Sequence, residues 1–219
     1  MTPVVKLRPV SGYFPGPVLL VVLILGCLPA FPVPPSGKTA DNLLAAYMAE
    51  MNASAKYTAY SGQAHMEGYH QAGILFSAAS RSEAIHAANL KAVLEKMGIP
   101  VAPYEAPAVT AGSTKENLEL AIRNETSEVD EMYPGYIADA KSENATNAVK
   151  SMRWVMETEV RHTIFFRNAM AALNSNSVLT LPRFYWVCPK CGNTYDVPTP
   201  ESICSCCGTA NTRFIKIDK

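Results

Sequence analysis

EVRH, residues 159–162, places a carboxylate and an imidazole three positions apart, and EAIH, residues 83–86, sets out the same arrangement earlier in the chain. On a helix, residues three apart share a face, so each pair can converge on one cation. A single pair of this kind is more often a polar couple facing solvent. Two pairs gain meaning only if the helices carrying them face one another, and the surrounding pattern predicts that they do. The first helix is expected from Thr39 to about Met66, with Leu43, Leu44, Tyr47, Met51, Ala55 and Ala59 three or four apart. Gly68 interrupts it, and a second helix follows from about Tyr69 to Met97, stopped by Gly98 and Pro100. The Pro/Ala-rich stretch 99–112 reads as a crossover linker. A third helix opens at Ser113, which forms a capping box with Glu116, and runs with a kink expected at Pro134 to about Lys141. The fourth covers about Ala145 to Leu173. Short, long and short connections between such helices describe a four-helix bundle with one crossover.

An internal echo strengthens this reading. TADNL at 39–43 returns as TKENL at 114–118, Glu50 returns as Glu125, and Glu83 with His86 returns as Glu159 with His162. Helix starts and potential ligands thus recur together, as in two helical hairpins related by a pseudo-two-fold axis. Glu50 and Glu125 on helices one and three, with Glu83, His86, Glu159 and His162 on helices two and four, make up the donor set of a carboxylate-bridged di-iron bundle. Buried carboxylates are costly unless paired or metal-bound, and four of them nearly neutralise two divalent cations. Mixed oxygen and imidazole donors suit iron or manganese. Glu128, three residues after Glu125, is one carboxylate more than this set needs and by spacing alone reads as a surface charge.

The chain ends on a second metal pattern, CPKCG at 188–192 and CSCCG at 204–208. A tail this short cannot build an adequate core and needs a staple. Cys188, Cys191, Cys204 and Cys207 form two C-x-x-C knuckles, each followed by a glycine that permits the tight turn, and together supply a tetrahedral four-thiolate site for zinc or a single iron. Tyr185, Trp186, Tyr195 and Phe214 are expected to cover the sulfurs.

Lysine plus arginine equals aspartate plus glutamate at 19 each, which leaves no long-range field for a nucleic acid partner. Residues 1–38 differ from the rest. Lys6 and Arg8 precede an apolar run ending near Cys27, shorter than a membrane span and close to a signal or lipoprotein leader. The leader implies a cell-envelope location, anchored or exported; a start-site extension would leave the chain cytoplasmic.

Glu50, EAIH, ETSEVDEMYP (125–134) and EVRH in order, followed by CPKCG and CSCCG, resemble the rubrerythrins over about Thr39 to Lys219. The resemblance implies a mainly α fold: a ferritin-like four-helix bundle at 39–175 and a small, β-rich, rubredoxin-like metal-knuckle domain at 183–219. It implies two bridged irons in the bundle and iron rather than zinc at the four cysteines. Glu128 is implied to exchange with His86 as the iron changes oxidation state, and Tyr57 and Tyr133 to bond to the site. The expected activity is reduction of hydrogen peroxide to water, a defence against oxidative stress, with electrons from a reduced pyridine nucleotide through a separate reductase or rubredoxin. A homodimer is expected, paired head to tail so that one subunit's cysteine site approaches the other's di-iron site. From a different class, the same residues fit a ferritin-like protein that oxidises and stores iron, with a structural zinc ribbon. The leader and Cys206, a fifth thiol beside the ligands, depart from the family pattern.

Overall fold

Gly68 and Gly98 take left-handed backbone angles, φ +83° and +78°, and end the first two helices where the sequence places their stops. The computed structural model describes residues 37–219; the leader, including Cys27, lies outside the described residues. Helix α1 (Lys38–Met66) and helix α2 (His70–Lys96) form the first hairpin, and α3 (Thr114–Ser127), α4 (Tyr133–Ser142) and α5 (Thr146–Asn174) form the second. The capping box at Ser113 is present, with Ser113 accepting from the Glu116 amide and Glu116 accepting from the Ser113 amide. Among the described residues no helix is long and apolar enough to cross a membrane.

The internal repeat extends to a reciprocal cap. Glu143, just past α4, accepts from the Lys38 and Thr39 amides at 2.9 and 3.1 Å and closes the start of α1. Glu67, just past α1, accepts from the Thr114 amide at 3.0 Å and closes the start of α3. Each hairpin therefore satisfies orphan N–H groups of the other, and the carboxylates meet the positive ends of the helix dipoles.

Two expectations need correction. The inward stripe of α1 is Leu43, Ala46, Tyr47, Glu50, Tyr57, Tyr60 and Ala64. Leu44 is 41% exposed, and Met51, Ala55 and Ala59 are only half-buried. The apolar pattern alone mis-phased the helix because Glu50 occupies a core-facing position. The kink placed at Pro134 is instead a π-helical turn over Glu128–Met132, just upstream, with the Tyr133 amide reaching back to the Glu128 carbonyl. Pro134 has no N–H to continue the regular ladder, and the wider turn leads the chain into α4.

Two apolar clusters fill the bundle. One gathers Tyr57, Leu75, Phe76, Leu118 and Phe166; the other gathers Leu43, Leu90, Leu94, Tyr133 and Met152. Beyond α5, strands β1 (Tyr185–Val187), β2 (Thr194–Tyr195) and β3 (Ile215–Ile217) form an antiparallel sheet of order β2-β1-β3. Tyr185 packs against Phe165 of α5, joining this sheet to the bundle core.

Candidate metal centres

Helices α1, α2, α3 and α5 each turn one or two polar side chains into the bundle, and these meet in a layer sealed from solvent. Glu50, Glu83, His86, Glu125, Glu159 and His162 are all at most 2% exposed. They sort into two overlapping groups, Glu50, Glu83, His86 and Glu159, and Glu83, Glu125, Glu159 and His162, with the donor atoms of each within 4.8 Å of one another. Glu83 and Glu159 belong to both groups and are placed to bridge. Nδ1 of His86 lies 2.8 Å from Glu83, 2.9 Å from Glu159 and 3.5 Å from Glu50. Nδ1 of His162 lies 2.7 Å from Glu159, 3.1 Å from Glu83 and 3.8 Å from Glu125.

One oxygen of each of the four carboxylates, Glu50 Oε2, Glu83 Oε1, Glu125 Oε2 and Glu159 Oε1, is buried and faces an imidazole Nδ1, at 3.5, 3.1, 3.8 and 2.9 Å, without an aligned hydrogen bond. Buried acceptors left unpaired are costly, and two divalent cations would satisfy all four. The donor set therefore fits the metal pair that the sequence anticipates. The electrostatics agree. Burial pushes Glu50 up to about 8, with Glu83 and Glu159 adding and His86 opposing. Burial and the Glu159 charge likewise hold Glu125 well above the usual carboxylate range. Burial acts on Glu83 and Glu159 too, but there the two imidazoles outweigh it and both carboxyls are lowered. His86 and His162 are raised well above the ordinary imidazole value, since Glu159 and its neighbours overcome the burial penalty.

Tyr57 donates to Glu125 and Tyr133 donates to Glu50, so each non-bridging carboxylate is held from the apolar cluster on its own side. Burial and the adjacent carboxylates push both phenols well up, which keeps them as donors. Glu128 stands apart from the six. It is half-buried, on the π-helical turn, and belongs to neither donor group. Burial and the charges of Glu50, Glu125, Glu159 and Glu83 nevertheless raise its carboxyl well above the usual range.

The four expected cysteines also converge. Cys188, Cys191, Cys204 and Cys207 form one group, with Sγ–Sγ separations of 3.6 Å for Cys188 and Cys207 and 3.5 Å for Cys191 and Cys204. Bonds of about 2.3 Å to a tetrahedral ion set sulfurs about 3.8 Å apart, so the spacing suits a four-thiolate metal and is far too long for a disulfide. The two knuckles match: the Gly192 and Gly208 amides donate to the Cys188 and Cys204 carbonyls, and both glycines have positive φ. Hydroxyls of Tyr195 and Thr209 lie 3.2 Å from the sulfurs of Cys204 and Cys207. Cys206 is half-exposed and outside the donor group.

The knuckle around Gly192 rests on the bundle beside the two histidines. Ser82 donates to the Gly192 carbonyl at 2.7 Å, Asn89 donates to the Lys190 carbonyl at 2.8 Å, and Thr194 Oγ1 lies 3.2 Å from His162 Nε2. Lys190 and Lys150 both sit over the Trp154 ring, and Arg161 over Tyr195. Within the chain, the first cysteine knuckle thus lies against the bundle that carries the glutamate and histidine layer. The sequence reading missed Ser82, Asn89 and Thr194; a small hydroxyl residue immediately before Glu83 and another two residues after the knuckle glycine were its only signals.

The sequence model of the rubrerythrin family matches residues 41–170. The chain is 32% identical to rubrerythrin-2 of Clostridium acetobutylicum over 181 residues, 80% of this chain and 95% of that protein. It is 32% identical to nigerythrin of Nitratidesulfovibrio vulgaris over 159 residues, 71% of this chain and 75% of that protein. A mixed-valent nigerythrin structure superposes with a TM-score of 0.72 at 29% identity, covering 82% of this chain and 86% of that one. An open-pore ferritin from Archaeoglobus fulgidus, at 14% identity and a TM-score of 0.58 over 65% of this chain and 91% of that one, shares the bundle fold alone. With its paired glutamate–histidine centre and its four-cysteine knuckles in place, the chain belongs to the rubrerythrin family, as a di-iron protein with a rubredoxin-like iron site.

Proposed function

We propose that the chain is a non-haem peroxidase that reduces hydrogen peroxide to water. The observation that carries this reading is the contact between the two centres: a donor set for two metals lies directly beneath a one-electron thiolate site. Peroxide reduction consumes two electrons and two protons and yields two waters, and a bound iron pair supplies two electrons at adjacent atoms. The nigerythrin structures are described as fully reduced (all ferrous), partially reduced and mixed-valent, which supports redox cycling of the same metals here. Glu83 and Glu159, common to both donor groups, would be shared between two metals, with Glu50 and His86 holding one and Glu125 and His162 the other. Tyr57 and Tyr133 orient the two outer carboxylates. The apolar clusters above and below exclude bulk water, which strengthens every charge interaction within the layer. Glu128, whose carboxyl is raised by burial and by the neighbouring carboxylates, would serve as a proton carrier at its carboxyl oxygen or as an alternative ligand to His86.

Electrons are supplied by an external donor, a rubredoxin or an NADH-dependent reductase, and the chain acts as a homodimer. The leader supports a cell-envelope location; mass spectrometry of the native N-terminus tests that, and a lipid-modified Cys27 would rule out a cytoplasmic start. Stopped-flow mixing of the reduced protein with peroxide and, separately, with dioxygen tests the activity. Oxidation by peroxide should be the faster; faster oxidation by dioxygen, with many irons loaded per chain and zinc at the cysteines, would favour iron storage instead.

A further inference from the structure

Both metal-facing histidines have their outer nitrogen covered by a hydroxyl, and both hydroxyls bond to the same carbonyl. Ser82 Oγ donates to the Gly192 carbonyl at 2.7 Å and lies 3.4 Å from His86 Nε2. Thr194 Oγ1 donates to that carbonyl at 3.1 Å and lies 3.2 Å from His162 Nε2. A carbonyl has two lone pairs and each hydroxyl one hydrogen, so these bonds use both. Each hydroxyl then faces its imidazole with lone pairs only, and Nε2 must carry the hydrogen. Nδ1, which faces the carboxylates, is left free to bind a metal.

The fit is tight and dry. Ser82, His86, His162 and Thr194 are each 0% exposed. A β-carbon on Gly192 would lie 2.4 Å from His86 Nε2 and 2.8 Å from Ser82 Oγ, and its φ of +83° independently favours glycine. The knuckle can approach the imidazoles only because this residue has no side chain. Gly192 also follows Cys191 directly, so one thiolate ligand is tied through a single carbonyl to a histidine on each side of the bundle centre.

We infer that Ser82 and Thr194 are positioning residues through which the docked knuckle sets the tautomer of His86 and His162 and readies both for metal. The inference concerns metal binding and stands apart from the peroxidase reading. The full chain loaded with Zn2+ is diamagnetic, so the imidazole Nε2–H signals can be followed by NMR. Both should exchange slowly with solvent. In Ser82→Ala, which suits a helix interior and removes one atom, exchange at His86 should rise at least about tenfold while His162 is unchanged. Thr194→Val should do the reverse, and Ser82→Thr should retain slow exchange at both. Chelator competition should show the bundle site of each hydroxyl-deleted variant binding Zn2+ about tenfold more weakly, the usual scale for losing an outer partner of a metal-bound histidine. Unchanged exchange at both imidazoles in Ser82→Ala, or equal acceleration at both, would overturn the inference; the second result would mean general loosening of the interface.

Discussion

The bundle and the cysteine tail each hold a metal centre, but they hold it at opposite ends of a balance between core and ligand. In the bundle the ligands are a polar layer between two apolar clusters, and Phe76, Phe166, Leu90 and Leu94 are buried whether or not a metal is bound. In the tail the cluster around the metal site is Cys188, Cys191, Cys204, Tyr195 and Phe214, so three of its five buried members are themselves ligands. One centre is inserted into a fold that the apolar residues already define. The other centre is most of its own fold.

That difference should be easiest to break by removing metal. Cys191→Ser, or stripping the cysteine site with a chelator, should abolish hydrogen-exchange protection in β1, β2 and β3 while α1 to α5 remain protected, because four-thiolate sites contribute on the order of 10 kcal/mol to the folding of small domains. A tail that stays protected without metal would erase the distinction. The converse lesion is Phe166→Ala, which empties a fully buried position beside Tyr57. It should cost about 3–5 kcal/mol in bundle stability and leave the thiolate-metal spectrum in place.

Metal dependence in the bundle should instead appear as a pH effect. Glu50 is raised from an ordinary 4.5 to about 8, Glu125 and Glu128 are raised as well, and both histidines are raised above 6.5. Between about pH 5 and 8 the folded, metal-free bundle thus binds more protons than the unfolded chain, and its stability falls as pH rises. Glu83 and Glu159 act in the opposite sense, but their carboxyls are lowered and their contribution is complete below that window. The metal-free protein should lose at least about 1.4 kcal/mol, or ~3–6 °C in Tm, from pH 5.5 to 8. The metal-loaded protein should show no such loss, since cations replace those protons. Calorimetry on both forms checks this. The smallest effect belongs to the capping box: Ser113→Ala should cost about 1 kcal/mol by denaturant unfolding and leave both metal sites loaded.

Much of this was legible in the chain because helical ligands obey helical spacing. Glu83 with His86, Glu159 with His162, and the repeat that places Glu50 opposite Glu125 all follow from periodicity, and the knuckles follow from C-x-x-C-G. Periodicity of apolar residues alone failed on α1, where Glu50 takes an inward position and Leu44 is left 41% exposed. It also gave no sign of the π-helical turn, which depends on how Pro134 ends one ladder of hydrogen bonds beside a buried site. Ser82 and Thr194 were illegible for a different reason. Their partners lie 110 and 32 residues away, across an interface that exists only once the tail has docked.

The central claim is that the two centres work as one redox unit. It is tested most directly by the visible absorption of the four-thiolate iron after peroxide is added to the fully reduced protein, compared between the unaltered chain and Glu159→Ala, which removes a bridging ligand of the bundle site. In the unaltered chain the ferric thiolate band should appear promptly, as each thiolate iron gives one electron to the peroxide-oxidised bundle pair. In Glu159→Ala, with the cysteines intact, it should appear at least about tenfold more slowly. Equal rates in the two proteins would mean that peroxide oxidises the thiolate iron on its own, and would contradict the account.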